Sequence, residues 1–246
     1  MNYKLILNVP NHLQLQNSIT LKLWPEFMLQ DPVAKKNWVK LFELFPEYQI
    51  SLESDGEIIG TANSLPFHWD KDFKELPERG WDWVLEKGIK DKQEGIEPNM
   101  LNGLQIAVNR EHQGQGVSSL ILKEMILLAE DRGFKFVTIP VRPSLKHQYP
   151  LIQIDNYMNW KREDGLPYDS WLRVHVRNGG ELIKSCKKAM YIPGTVSEWE
   201  KWTDLKFFES GKYIINKALK PVEVNVEKNI GEYWEPNVWV VHCVEK

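Results

Sequence analysis

Residues 106–118 of the chain read IAVNREHQGQGVS. The pattern predicts an apolar strand over 106–108, a polar turn, a pair of glycines and then a long amphipathic run over 119–132. A glycine-rich turn that opens a helix exposes backbone N–H groups at the positive end of the helix dipole, and such a site binds phosphate. Gly114 and Gly116 carry no Cβ atoms that would keep an anion away. The stretch therefore predicts a phosphate-binding turn.

Two common phosphate-binding motifs fit this turn poorly. A P-loop is excluded because no Gly-Lys-Ser/Thr follows the glycines. A dinucleotide-binding fold is disfavoured because the third glycine of its fingerprint is missing. The unit also lies in the middle of the chain, without the alternation of strands and helices that such a fold requires after it.

The surrounding pattern predicts a mixed fold. Apolar residues between Val117 and Ala129 recur at helical spacing, so one face of that helix is expected to pack on a sheet. The nearly continuous apolar run 134–141 is typical of a buried strand. The other predicted elements are a helix that starts at Asp31-Pro32 and ends before Pro46, a hairpin over 48–63 with an Asp55-Gly56 turn, helices over 81–90, 171–177 and 196–202, and strands over 101–108, 181–192, 222–226 and 238–244.

Composition limits the classes of function. The 246 residues carry a net charge of −3, which argues against a protein that coats nucleic acid. Cys186 and Cys243 lack metal-like spacing and are interpreted as reduced thiols of a cytoplasmic protein without a metal site. The apolar run Leu5–Val9 is short for a signal peptide, and no run approaches the roughly 20 residues that span a bilayer, so no membrane association is predicted.

The aromatic content allows two interpretations. Eleven Trp and eight Tyr residues are many for this length, and they fill either a core or the walls of a substrate cavity. The better candidates for a cavity wall are Trp69, Trp81, Trp83, Trp160 and Trp171, which fall in or beside predicted loops and helix starts.

Residues 113–118, QGQGVS, resemble the acyl-CoA signature of the GNAT acyltransferase superfamily, Arg/Gln-x-x-Gly-x-Gly/Ala. Gln113 and Gly116 match the signature, whereas Ser118 stands where Gly or Ala is usual. The similarity runs over about 100–141, with a looser match in the order of elements over about 18–192.

The resemblance implies a fold and a ligand. The fold is α+β, with a central, mostly antiparallel twisted sheet, helices on both faces, and fourth and fifth strands that splay apart to admit the pantetheine arm of coenzyme A. It implies one domain over 1–246 with a C-terminal extension over about 193–246, which either completes the sheet or forms a dimer contact. The implied coenzyme A-binding residues are Ile106, Ala107, Val108, Gln113, Gly114, Gln115, Gly116, Val117 and Ser118.

The resemblance also indicates catalytic candidates. Many members place a Tyr before an Asn-Gly pair to protonate the coenzyme A thiolate. Alignment on Asn178-Gly179 puts His175 at that position, and His titrates near neutral pH. We therefore take His175 as the candidate acid, with a buried core histidine as the alternative.

The general base and the acceptor contacts are less defined. The predicted fourth strand contains no Asp, Glu or His, so a base must come from elsewhere or act through water. Glu94 and Glu97 precede that strand and Asp155 follows the fifth, and Glu97 is taken as the candidate base. Arg142, His147 and Tyr149 follow the fifth strand, where family members contact substrate, and Arg142 suits a carboxylate. A solvated surface position is the alternative for each. The aromatic segment 146–170 is expected to cover the acceptor side.

These features together predict an N-acyltransferase. The expected reaction moves an acetyl group from acetyl-CoA to the amine of a small molecule. The alternatives are another activity on the same fold, namely thioester hydrolysis, O-acyl transfer or decarboxylation, and a non-catalytic acyl-CoA-binding sensor. The identity of the acceptor does not follow from the sequence.

Overall fold

The computed structural model describes residues 3–7 and 11–244. Its strands are β1 (Lys4–Leu7), β2 (Gln49–Ser54), β3 (Glu57–Phe67), β4 (Met100–Val108), β5 (Phe136–Val141), β6 (Gly180–Gly194), β7 (Gly211–Tyr213), β8 (Val222–Asn225) and β9 (Ile230–Cys243). Its α-helices are α1 (His12–Thr20), α2 (Pro32–Leu44), α3 (Gly80–Glu94), α4 (Val117–Asp131), α5 (Ile154–Tyr157), α6 (Ser170–Arg177) and α7 (Val196–Thr203).

The strands form one sheet in the order β1-β2-β3-β4-β5-β9-β8-β7, and β6 pairs alongside β9. Pairing is antiparallel throughout this sheet except between β4 and β5. The predicted α+β class with a mostly antiparallel sheet is confirmed. Of the predicted N-terminal apolar run, residues 8 and 9 lie outside the described residues. Within the ranges 3–7 and 11–244, no helix has the length and apolar character to cross a membrane.

β4 and β5 splay apart, as predicted. They pair at Leu101–Val137 and at Asn102–Thr138. There the Thr138 hydroxyl donates to Asn102 Oδ1 at 3.0 Å. Beyond this point the strands diverge toward their carboxyl ends. β4 also carries a bulge at Leu104, whose carbonyl accepts a hydrogen bond from Trp81 Nε1 at 2.8 Å. The bulge and the single closed end together leave a gap between the two strands.

Helices cover both faces of the sheet. Gly60 and Leu65 of β3 lie five positions apart and therefore point to opposite faces. Gly60 leaves no room for a side chain against Ile121 of α4. Leu65 packs in the same way against Gly88 of α3. α4 and α3 thus lie on opposite sides of the strand that borders the splayed pair.

The C-terminal region completes the sheet. β9 pairs with β5 from Phe136–Cys243 to Val141–Val238, and it pairs with β6 along most of its length. Thr195 and Glu198 form the capping box that starts α7, so Thr195 is the cap of that predicted helix. A dimer contact in this region stays a prediction.

Candidate active site

A cavity of about 890 Å³ lies where β4 and β5 diverge. Residues 103–108 of β4 form one wall, and residues 139–142 at the end of β5 form the other. The turn before α4 and one face of α6 also line it. No aspartate or glutamate belongs to this lining in the described part of the chain. The cavity is therefore bordered by the turn that the sequence predicts to bind phosphate.

Four tryptophans line the cavity, namely Trp24, Trp38, Trp81 and Trp171. The sequence predicted the last two. Two other candidates, Trp69 and Trp83, pack against each other with ring centroids 5.4 Å apart, away from the lining. Trp160 packs among tyrosines instead. Only part of the aromatic content therefore forms a cavity wall.

The glycine turn has the geometry of an anion cradle. Gly114 and Gly116 have φ of 76° and 83°, in the left-handed region. Apart from their chain neighbours, no atom of the described residues lies within 4 Å of where either Cβ would be. Gln113 Nε2 donates to the carbonyl of Val108 at 3.0 Å and so ties the turn to the end of β4. α4 starts at Val117, and no side chain in the described part of the chain caps its first N–H groups. Those donors are left for an anionic ligand.

The predicted ligand-binding residues come together at this end of the cavity. The lining contains seven of the nine, namely Ile106, Ala107, Val108, Gln113, Gly114, Val117 and Ser118. Gly116 is the N-cap of α4. Gln115 lies in the same turn, with its side chain bonded to the carbonyl of Glu111 at 2.9 Å.

His175 lies on α6, fully buried, and lines the cavity. Its Nδ1 is 3.0 Å from Nε2 of His242 on β9, and His242 Nδ1 is 3.2 Å from the carbonyl oxygen of Asn178. Among the described residues its Nε2 has no hydrogen-bond partner. Burial, together with His242, holds the pKa of His175 well below its usual value. His175 is therefore a neutral imidazole with one unused nitrogen beside the cavity.

A model of the acetyltransferase (GNAT) family matches residues 11–153. The chain belongs to this family. The arginine N-acetyltransferase avaD of Aspergillus versicolor is 32% identical over 250 residues, which cover 90% of this chain and 86% of that protein. The protein is thus a GNAT N-acetyltransferase that uses acetyl-CoA.

Solved structures agree with this fold. The loading GNATL domain of CurA from Lyngbya majuscula superposes with a TM-score of 0.65 at 17% identity, over 99% of this chain and 98% of that one. A GNAT-like decarboxylase, GphF, in complex with isobutyryl-CoA gives a TM-score of 0.58 at 13% identity, with each chain fully covered. At these identities the likeness concerns the fold alone.

Substitution of Gly116 tests whether the glycine turn binds acetyl-CoA. Gly116→Ala is expected to raise the KM for acetyl-CoA about tenfold, roughly 1.4 kcal/mol. Alanine is strained at a φ of 83°, so the turn shifts out of its anion-binding form. Steady-state kinetics measures the change. Gly133→Ala is the matched control, because Gly133 has a φ of 76° just past the opposite end of α4 and should leave that KM unchanged. Equal KM values in both variants would contradict the assignment.

The structure places Arg142 in the cavity wall but pairs it with the protein. Its Nε forms an ion pair with the fully buried Glu235, and its Nη2 donates to the carbonyl of Lys217 at 2.6 Å. The guanidinium lies over the ring of Trp24 at 5.8 Å. Glu235 also accepts a hydrogen bond from Tyr233. Three of the five guanidinium N–H donors remain for a ligand.

Of the other two predicted acceptor contacts, one lines the cavity and the other does not. His147 lines the cavity, with Nδ1 3.0 Å from the carbonyl of Ser144. Tyr149 lies outside the lining and bonds Tyr168 through the hydroxyls at 2.8 Å. The segment 146–170 packs its aromatic side chains on one another, and within it His147 and Ser170 line the cavity.

Glu97, the predicted base, does not reach the cavity. It is exposed and precedes the closed end of β4, whereas the gap opens at the opposite end of that strand. The structure therefore does not bring Glu97 and His175 together.

The cavity residues that sequence reasoning missed include Trp24, Trp38, Lys35, Lys217 and Asn237. Asn237 lies on β9, where its Nδ2 donates to the carbonyl of Pro140 at 3.0 Å. Its Oδ1 is buried without a partner among the described residues. These residues come from distant segments and share no local motif, so no sequence signal marks them.

Proposed function

We propose that the acceptor is a free amino acid, acetylated on an amine, and that arginine is the first candidate. The positive charge of the cavity wall is the observation that supports this proposal. Arg142, Lys35 and Lys217 line it, and the described lining contains no carboxylate. An acceptor carboxylate would bond the remaining donors of Arg142, which suit a planar, bidentate partner.

The rest of an arginine molecule fits the same wall. Its guanidinium has no acidic side chain to meet in the described lining, but a tryptophan face attracts such a cation. Four tryptophans are available there. The relative named arginine N-acetyltransferase avaD supports arginine as the first acceptor to test.

The glycine turn before α4 supports a binding mode for the acetyl donor, acetyl-CoA. The N–H groups at 115–118 would hold the pyrophosphate of acetyl-CoA, and the gap between β4 and β5 would take the pantetheine arm. The N–H of Val108 would polarise the thioester carbonyl. We place the enzyme in the cytoplasm, working without a metal or nucleic acid. The buried Cys186, whose thiol pKa is raised by burial, fits an unreactive thiol of a reducing compartment.

A thiol-release assay with acetyl-CoA tests the acceptor. The panel contains L-arginine, L-arginine methyl ester, agmatine, which lacks the carboxylate, and neutral L-amino acids. The expected result is a kcat/KM for L-arginine at least tenfold above that for agmatine, with the amide product seen by mass spectrometry. A charge-assisted hydrogen bond of roughly 1.5–3 kcal/mol supports a difference of this size.

The other outcomes separate the alternatives. Equal rates with arginine and agmatine would refute carboxylate recognition. Thiol release without any acceptor would indicate thioester hydrolysis. Tight binding of coenzyme A without release of thiol under any condition would indicate a sensor.

A further inference from the structure

The hydrogen bonds around His175 fix which of its nitrogens carries the proton. The carbonyl of Asn178 can only accept, so Nδ1 of His242 must donate to it. Burial lowers the pKa of His242, which leaves its Nε2 with a lone pair. That nitrogen can then only accept from Nδ1 of His175, 3.0 Å away. The unpartnered Nε2 of His175 therefore has no hydrogen and presents a lone pair.

This arrangement is anchored to the coenzyme A side of the site. Asn178 donates through Nδ2 to the hydroxyl of Ser119, in the first turn of α4, at 3.0 Å. The same Nδ2 donates to the carbonyl of Val174 on α6 at 2.7 Å. The Trp171 ring packs on His175 with centroids 4.5 Å apart. The position of the His175 imidazole is thus fixed by residues of helices and a strand and not by a surface loop.

The cavity lining offers few side chains that can accept a proton. With no Asp or Glu in the described lining, the histidines are the first candidates for a proton acceptor. His112 and His147 each lie in a short 3-10 helix, and both are partly exposed. His175 alone of these three is fully buried.

We propose that His242 is a positioning residue that holds His175 in the Nδ1–H tautomer, so that His175 starts turnover as a base and shuttles one proton from the attacking amine to the sulfur of coenzyme A. This inference rests on the proposed amine acceptor. It extends the sequence-based hypothesis of an acid at His175, because the proton that the acid delivers is first taken from the substrate.

The acceptor enters as an ammonium ion and loses one proton to solvent. The neutral amine attacks the thioester carbonyl, so a C–N bond forms and the C–S bond breaks. The second amine proton passes to Nε2 of His175, which becomes an imidazolium, and then moves to the departing thiolate. Amide and coenzyme A thiol leave, and His175 is neutral again.

The low pKa of the buried His175 acts on both protonation states of this shuttle. It keeps the imidazole neutral before attack, and it makes the imidazolium a ready donor to the thiolate. General acid–base groups of this kind contribute about 10²–10⁴-fold to rate.

The tautomer is tested without any acceptor. ¹⁵N NMR of the histidine rings in the full-length protein should show His175 protonated on Nδ1 and bare on Nε2. In His242→Leu the Nδ1 donor loses its partner, and the Nε2–H form should appear. A wild-type His175 that is protonated on Nε2 would overturn the inference, whatever the enzyme acetylates.

Kinetics tests the shuttle. His242→Leu should lower kcat at least tenfold with the KM for acetyl-CoA unchanged. His242→Gln should recover kcat to within about threefold of wild type, since an amide keeps one acceptor and one donor. His175→Gln should lose about 10²–10⁴ in kcat. Melting temperatures verify that each variant folds. Wild-type kcat in folded His242→Leu or His175→Gln would refute the shuttle. A wild type that forms no amide with any amine would refute the proposed function and the shuttle together, while the NMR result on the tautomer stands separately.

Discussion

Replacing Arg142 by methionine is expected to lower the free energy of unfolding by roughly 3–5 kcal/mol, the loss measured when one partner of a buried ion pair is removed. Glu235 is fully buried, so without Arg142 its carboxyl must either hold an unpaired charge or take up a proton, and both cost folding free energy. Lys146 lies close enough to attract it but gives its own hydrogen bonds to the carbonyls of Tyr149 and Leu219. Thermal or urea unfolding measures the loss.

The matched control removes both charges. Arg142→Met/Glu235→Gln removes both charges of the ion pair, and the glutamine can still accept from the hydroxyl of Tyr233. Lys146 keeps its hydrogen bonds to the carbonyls of Tyr149 and Leu219. Most of the stability should therefore return. A double variant no more stable than Arg142→Met would show that the ion pair does not account for the loss.

The same double variant tests the acceptor proposal in a folded protein. It lacks the guanidinium that would bond the acceptor carboxylate. The KM for L-arginine should rise at least tenfold, and the KM for acetyl-CoA should stay at the wild-type value. An unchanged KM for both substrates would remove Arg142 from the acceptor site.

The donor side of the site could be predicted because its residues are contiguous. The apolar strand before 109, the glycine pair and the amphipathic run after 117 each leave a local pattern, and the structure places them as β4, the turn and α4. The helix that starts at Asp31-Pro32 could be predicted for the same reason. Asp31 Oδ1 accepts a hydrogen bond from the N–H of Ala34 at 2.7 Å and so caps this helix.

Helix α1 escaped prediction because its buried face is largely polar. His12, Gln16 and Thr20 are buried alongside Ile19. Gln16 donates to the carbonyl of Ile50 at 2.9 Å and accepts from Asn63 at 2.7 Å. Apolar periodicity cannot reveal a helix that is held to the sheet by hydrogen bonds.

The acceptor side could not be predicted because tertiary contacts assemble it. His242 reaches His175 across 67 positions, and Glu235 reaches Arg142 across 93 (235 minus 142). Glu97 lies away from the cavity for a related reason. It is close to β4 in sequence, but the cavity opens at the other end of that strand. Proximity to a strand in the sequence does not show which end of the strand borders the cavity.

The pair Asp31 and Asp82 should make the protein less stable as the pH rises. Asp31 Oδ1 accepts from Ala34 N and Asp82 Oδ2 accepts from Tyr191 N, so one oxygen of each remains for a shared proton. Burial and the neighbouring Asp31 raise the pKa of Asp82 to about 9. Because the folded-state pKa of Asp82 is raised, the protonated pair contributes its full stability to the folded protein below the unfolded-state pKa of about 3.9. This contribution is lost as the pH rises through about 9.

Asp82→Asn should remove much of this pH dependence. The asparagine amide donates to Asp31 at every pH, as the protonated Asp82 does. The Tm of the variant should match wild type near pH 5 and exceed it by several degrees near pH 9, because 1 kcal/mol corresponds to roughly 2–4 °C at this size. Asp91→Asn is the control: it removes a buried carboxylate of α3 that is paired with Lys87, and it should lower the Tm without flattening its pH profile. Parallel Tm profiles for wild type and Asp82→Asn from pH 5 to 9 would contradict a shared proton, because a neutral amide cannot follow the titration of a carboxylate.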